Sequence, residues 1–206
     1  MHIDLFHDTV CPWCRIGKRH LQLALESWTG EPVTVRYRSF FLNPDLPVEG
    51  VAFGPYLLAK GGGRMRLEDF FDGPRRAGAA AGLTFNFEAI AKAPNSLLSH
   101  RLIALAPADQ RAAVLEAIYA AYFEFGRDIG SVTTLVDITA AAGLDTASVA
   151  AQLASDAGEA VVREDVAFAR QVGISGVPFF IFNDKYAFSG AQPPAAIQRV
   201  MQQVAA

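Results

Sequence analysis

Cys11 and Cys14 are the whole cysteine content of this 206-residue chain, and they stand in one run, Cys11-Pro12-Trp13-Cys14. A chain that uses cysteine nowhere else and sets a pair at this spacing uses it for chemistry. Two thiols so placed can pass between dithiol and disulfide, which is the work of a redox centre. Two blander readings compete. A structural disulfide would close a tiny loop and constrain the unfolded chain little. A metal knuckle needs further ligands; His7 is close in sequence, but no second cysteine pair supplies the rest. Redox chemistry is the better reading, with no metal expected.

The flanking residues must hold the pair. His2 to His7 carries Ile3 and Leu5 on one side and polar residues on the other, the alternation of a short strand. Arg15 to Trp28 carries Ile16, Leu21, Leu23, Ala24 and Leu25 at helical spacing, so a helix runs from Trp13 onward. Pro12 fits a first helical turn, where its missing N–H has no partner to lose. Cys11 then sits at the helix N-terminus, where the helix dipole and free N–H groups favour a thiolate over a thiol. Cys14 lies a turn further in and is expected to be more buried. Cys11 is the predicted attacking thiolate, and Cys14 the thiol that resolves the mixed disulfide.

Composition sets the outer limits. Half the residues are hydrophobic (51%), which excludes disorder, and the length allows one domain or one domain with a large insertion. A net charge of −3 gives no electrostatic case for nucleic acid or an anionic membrane. No basic-then-apolar leader precedes the first strand, and no apolar run is long enough to span a bilayer. A cytoplasmic location is expected, where a lone thiol pair is more often catalytic than structural.

Further along, Pro32 to Phe41 alternates as a strand, and strand–helix–strand in this order predicts parallel pairing through a right-handed crossover. Asn43 to Pro47 breaks the chain. From Phe53 to Asp156 the pattern turns helical. Gly61-Gly62-Gly63 reads as a linker, since the ending of a phosphate loop is missing. Pro74 to Ala81 is short and Ala-rich, and Leu83 to Phe87 has the alternation of a brief extended segment. Helices are expected from Asn95 as cap through Ala106, over Gln110 to Phe125, Ser131 to Ala142 and Thr146 to Leu153. Ala157 to Val172 is a long helix, Val177-Pro178 leads into a buried strand, and Asn183-Asp184 turns it into a hairpin with Lys185 to Ser189. Pro193 to Val204 closes the chain as a helix. No self-similar period marks a repeat array.

At Cys11-Pro12-Trp13-Cys14, Gly176-Val177-Pro178-Phe179-Phe180 and Ser189-Gly190-Ala191-Gln192, the chain resembles the DsbA superfamily of thiol–disulfide oxidoreductases. Within it the FrnE-like branch is the nearest in pattern, and the stretch from Asn95 to Leu102 shares in the resemblance. The resemblance implies an α/β thioredoxin fold interrupted by a large all-helical insertion. Residues 1–52 and 157–206 would form the thioredoxin-like part, and 53–156 the insertion. It also implies a cis Val177–Pro178 bond beside the cysteines, with the Val177 backbone free to pair with an extended substrate segment. Pro12, Trp13, Val177 and Pro178 are the expected substrate-binding residues. Where an oxidising relative has C-P-H-C, Trp13 replaces the histidine that would stabilise the thiolate, which argues against a strongly oxidising pair.

Other residues have weaker claims. Asp8 could tune the thiols or assist proton transfer, but a cap at the strand end is the simpler reading, and its charge would oppose a thiolate. Arg15 and Lys18 read as a solvated helix face. His100 reads as a satisfied interface histidine, and Tyr119, Tyr122, Phe123 and Phe125 as core. The leading functional expectation is exchange of protein or peptide disulfides, with no bound cofactor and glutathione as a candidate co-substrate. A glutathione-dependent isomerase or transferase, resembling the kappa-class transferases and the chromene-carboxylate isomerases, is the second reading; those relatives usually carry Ser at the first motif position. A redox-independent chaperone or adaptor is the third. The sequence leaves the oligomeric state open, monomer or homodimer.

Overall fold

The computed structural model describes residues 1–62 and 66–206, so Gly63 of the expected glycine linker lies outside the described residues. Strand β1 (His2–His7) is central in a four-stranded sheet of order β2-β1-β5-β6. It pairs in parallel with β2 (Thr34–Ser39), from His2 opposite Thr34 to His7 opposite Ser39. It pairs antiparallel with β5 (Phe179–Phe182), which turns back into β6 (Tyr186–Ser189). The turn is made by Asn183 and Asp184, both left-handed at φ 46° and 56°, the geometry that side chains able to bond their own backbone tolerate best.

The strand residues split between the two faces as a period of two requires. Ile3, Leu5, Phe180 and Phe182 pack against Leu21 and Ala24 of helix α1 (Pro12–Glu26) and against Ile197 and Met201 of the closing helix (Pro194–Ala205). Phe6 faces the other way, toward Ala169 and Ile174 at the end of the helix Glu159–Gln171. Because β1 is covered on both sides, its polar residues Asp4 and His7 are buried as well. Asp4 is held there by a bidentate pair with Arg36, at 2.6 and 2.7 Å.

Between β2 and Glu159 the chain is mainly helical. Helices α2 (Phe53–Lys60), α3 (Leu67–Ala80), α4 (Leu97–Leu105), α5 (Arg111–Phe123), α6 (Val132–Ala141) and α7 (Thr146–Ala154) precede α8 (Glu159–Gln171), and the C-terminal helix is α9 (Pro194–Ala205). A short ladder of β3 (Val51–Ala52) and β4 (Lys92–Ala93), too brief to leave a pattern, closes the entry to this block. Leu102, Leu115, Ile118, Tyr119 and Phe123 form the centre of a core that also takes in Cys11, Cys14 and Ile16.

Three expectations need correction. The helix around Pro74 is longer than Pro74 to Ala81. It begins at Leu67, where the Asp69 side chain accepts from the Arg66 N–H at 2.9 Å, and Pro74 lies inside it. Leu83 to Phe87 pairs with no strand among the described residues and ends in a 3-10 turn, Phe87–Ala89; Phe85 and Phe87 stack at 5.2 Å as anchors in the helical core. Phe125 is no core residue. It lies past the end of α5 and is 69% exposed, while Tyr119, Tyr122 and Phe123 are buried as expected.

Candidate active site

The cysteine pair stands where β1 hands over to α1. Cys11 is the helix N-cap, in extended conformation at φ −98°, and its sulfur accepts the Cys14 backbone N–H at 3.3 Å. A capping atom normally relieves one of the orphan N–H groups of a first turn; here a sulfur does so, in the field of the helix N-terminus. Pro12 follows at the first helical position. The Cys11 N–H in turn donates to the Asp8 carbonyl at 3.1 Å, so the turn before the helix is fixed on both sides of the thiol.

Across from this end stands the Val177–Pro178 peptide, cis as the resemblance implied. The Cys11 thiol lies 3.7 Å from the Val177 carbonyl oxygen. The approach depends on Gly17, one turn beyond Cys14. A Cβ there would lie 2.9 Å from Pro178 Cγ and 3.3 Å from the Phe180 ring, so only glycine lets α1 ride this close to the proline. Trp13 points away from the sheet, 41% exposed, over a cavity of about 220 Å³. Pro12, Phe53, Phe70 and Phe71 line that cavity, and none of its lining residues is charged. The six expected site residues therefore group as Cys11, Cys14, Val177 and Pro178 around the thiols, with Pro12 and Trp13 at an apolar recess beside them.

Beneath the thiols the chain is polar and closed to solvent. Cys14 is fully buried, and burial, then the hydrogen bond and charge of Cys11, push its thiol well above the usual range. Asp8 is also fully buried. Its Oδ2 accepts the Leu42 N–H at 2.7 Å, its Oδ1 accepts the Val10 N–H at 3.3 Å, and His100 Nε2 of α4 stands 3.4 Å from that Oδ1. Asp8 is thus more than a cap at the strand end. His100 is not a satisfied interface histidine either, because its Nδ1 has no hydrogen-bond partner among the described residues. The His7 ring lies 5.2 Å from that of His100, tilted by 34°, and burial, the charge of His100 and that of Lys18 hold the His7 imidazole well below the usual value. The Tyr119 hydroxyl reaches the Asp8 carbonyl at 3.4 Å, and Thr9 and Ser99 join their hydroxyls at 2.7 Å.

The flank of α1 also departs from expectation. Arg15 and Lys18 are 3% and 1% exposed and do not form a solvated face. Glu116 of α5 accepts from Arg15 Nε at 2.9 Å and from Lys18 Nζ at 2.9 Å, and Arg15 also pairs with Glu124. Burial lowers the Lys18 ammonium from its ordinary value, with Glu116 opposing. A signal for this was present in the sequence. Cys14, Lys18 and Leu21 fall on one helical stripe, so Lys18 stands on the buried line. Among the described residues no group of three His, Cys, Asp or Glu side chains is arranged to hold a metal ion. No described helix is long and apolar enough to cross a membrane.

A family model for the DSBA-like thioredoxin domain matches residues 2–202. The chain belongs to this family. Its fold agrees over almost the whole chain with that of a probable DsbA oxidoreductase from Streptomyces coelicolor: TM-score 0.90, 32% identity, covering 99% of this chain and 89% of that one. The cytosolic disulfide reductase DsbM from Pseudomonas aeruginosa is similar in fold at TM-score 0.69 and 19% identity, covering 98% of this chain and 100% of that one. A 2-hydroxychromene-2-carboxylate isomerase is similar at TM-score 0.74 and 15% identity, covering 99% and 96%. The last two likenesses establish shared fold alone. No curated protein matches the chain. The α/β fold expected for the DsbA-like family, with its helical block between the halves of the sheet, is the fold observed.

Proposed function

We propose that the protein is a thiol–disulfide oxidoreductase acting on protein or peptide disulfides, with Cys11 as nucleophile and Cys14 as resolving thiol. The observation that carries this reading is the unequal setting of the two thiols. Cys11 caps a helix N-terminus and faces the Val177 carbonyl, whereas Cys14 is sealed below it with its proton held tightly. Cys11 thiolate attacks a substrate disulfide and one substrate thiolate leaves. Cys14 then attacks the Cys11 sulfur of the mixed disulfide, and the second substrate thiolate leaves, so the dithiol is oxidised and the substrate reduced. With the Cys11–Cys14 disulfide as the starting state the same steps run in reverse.

The substrate segment lies against Val177 and Pro178, and its apolar side chains enter the recess beside Pro12 and Trp13. The division into residues 1–52 with 157–206 and an insertion over 53–156 belongs to the same reading. So does a cytoplasmic setting, supported by the fold shared with a cytosolic disulfide reductase. That reductase also has a structure with glutathione, which supports glutathione as the co-substrate here. The isomerase likeness favours no second activity, since the chain keeps both Cys11 and Cys14.

The test is a redox titration against reduced and oxidised glutathione, followed by Trp13 fluorescence in a Trp28→Phe variant. A reversible two-electron transition is expected. A midpoint near about −270 mV assigns a reductase, and one near about −180 mV or above an isomerase or oxidase. A chain with no such transition is not a dithiol enzyme.

A further inference from the structure

Helix α2 carries an apolar stripe that the core does not absorb. Phe53, Tyr56, Leu57 and Lys60 fall at i, i+3, i+4 and i+7, the spacing of a face that packs inward. Yet no residue of α2 is fully buried, and Phe53 and Leu57 meet the helical core only at its margin. The stripe looks onto a cavity of about 260 Å³ instead. Val10, Phe53, Leu57, Phe70 and Tyr122 line both this cavity and the recess beside Trp13. Leu42, Asn43, Tyr56 and Lys60 line both this cavity and an outer one of about 420 Å³. One groove therefore follows α2 from the residues flanking Cys11 out to Lys60.

The groove changes character along its length. Its inner recess has no charged lining residue, and its wall is a stack of rings, Phe53 on Phe71 at 6.0 Å and Phe71 on Phe87 at 4.5 Å. At the outer end Lys60 is the one cation among the described lining residues. Its ammonium donates to Asn43 Oδ1 and lies 5.7 Å from the centre of the Tyr56 ring, and the Tyr56 hydroxyl donates to the same oxygen at 2.6 Å. These neutral partners place the charge without answering it. Among the described residues Lys60 forms no ion pair, either with Asp45 on the outer cavity or with any other carboxylate.

We propose that this groove binds an extended segment of the substrate polypeptide, with a large apolar side chain beside Trp13 and an acidic side chain at Lys60. This rests on the dithiol reading above and names the class of substrate that the site serves. A helix rises about 1.5 Å per residue, which sets Lys60 about 10 Å beyond Phe53 along α2. An extended chain covers about 3.3 Å per residue, so the acidic residue stands about three positions from the apolar one. The apolar contact supplies most of the binding, since burial of a large side chain outweighs an exposed ion pair. Lys60 supplies the selection: Asp or Glu at that position is favoured, and Lys or Arg is repelled. Lys60 is thus a specificity-determining residue contributed by the helical block.

The probes are two acetylated and amidated pentapeptides, Cys-Phe-Ala-Ala-Glu and the reverse Glu-Ala-Ala-Phe-Cys, each activated at cysteine as a 2-pyridyl disulfide. Release of pyridine-2-thione in stopped flow gives the rate constant for attack by Cys11. In one chain direction the Glu peptide is expected to react about threefold to fivefold faster than its Lys counterpart. Replacing the peptide Phe by Ala is expected to slow it about tenfold. Lys60→Glu is expected to reverse the charge preference. Lys185→Glu makes the same change in net charge at the hairpin turn beside His2, and is expected to leave the preference intact. Equal rates for Glu and Lys peptides in both directions overturn the proposal, as does a preference that survives Lys60→Glu or that Lys185→Glu abolishes. Uncharged 2,2′-dithiodipyridine separates this from the dithiol reading, since native protein and Lys60→Glu are expected to react with it alike and release two thiones per chain. A native protein that releases none takes the dithiol reading and this inference down together, whereas two thiones without peptide preference overturn the groove alone.

Discussion

Helix α1 is held in two different ways on its two flanks. Toward the sheet it is apolar: Leu21 and Ala24 meet Ile3, Leu5, Phe180, Phe182, Ile197 and Met201. Toward the helical block Ile16 joins the apolar core, but the flank also carries charge: Arg15 and Lys18 meet Glu116 and Glu124, and below the cysteines Asp8 meets His100. The first contact is non-directional and draws its strength from area removed from water. The second gives less net stability, because desolvating charges offsets much of their attraction, but it fixes geometry. The thiols sit at the junction. Stability comes chiefly from one flank, and the setting of Cys14 from the other.

Substitutions ranked by expected effect can break or sharpen that contrast. On the apolar flank, Leu21→Ala is expected to cost about 2–5 kcal/mol in denaturant unfolding. On the ionic flank, Glu116→Gln strands Lys18 and half of the Arg15 pairing. Full burial of both partners would make this about 3–5 kcal/mol. Glu116 is 34% exposed, so roughly 2 kcal/mol is expected after solvent screening. An equal or larger loss than Leu21→Ala would reverse the contrast.

His7 gives the ionic flank a pH signature. The unfolded imidazole gains a proton as pH falls through about 6.5, whereas the folded one, held low by burial and nearby positive charge, resists. The unfolded state then binds more protons, so stability falls as pH drops below about 6.5, by at most about 1.4 kcal/mol per unit from this group. The slope should flatten in His7→Gln. The smallest effect belongs to the exposed i,i+4 pair of Arg163 with Glu159 on α8, where Glu159→Gln should cost no more than about 0.5 kcal/mol.

The same contrast explains what the sequence could tell. Strands β1, β2 and β5 and the stripes of α1 and α9 were legible because apolar burial imposes periods of two and 3.6 on the residues themselves. The motif and its partner peptide were legible because Cys11, Cys14, Val177 and Pro178 are read from residue type and resemblance. The ionic flank was not. Arg15, Lys18 and Asp8 are of types that mostly face solvent, and partners distant in sequence, on α4, on α5 and at the Leu42 N–H, allow them inside. His100 and Glu116 lie about 90 and 100 positions from the residues they meet, a separation that no local pattern records. Phe125 failed in the opposite sense: it continues an apolar pattern past the end of α5, where no neighbour covers it.

The most direct test of the central claim is a trap. A Cys14→Ser variant is mixed with a peptide disulfide and the products are mapped by mass spectrometry. A stable mixed disulfide on Cys11 is expected in the variant, and an internal Cys11–Cys14 disulfide with released peptide thiol in the native protein. A variant that carries no peptide on Cys11 would contradict it.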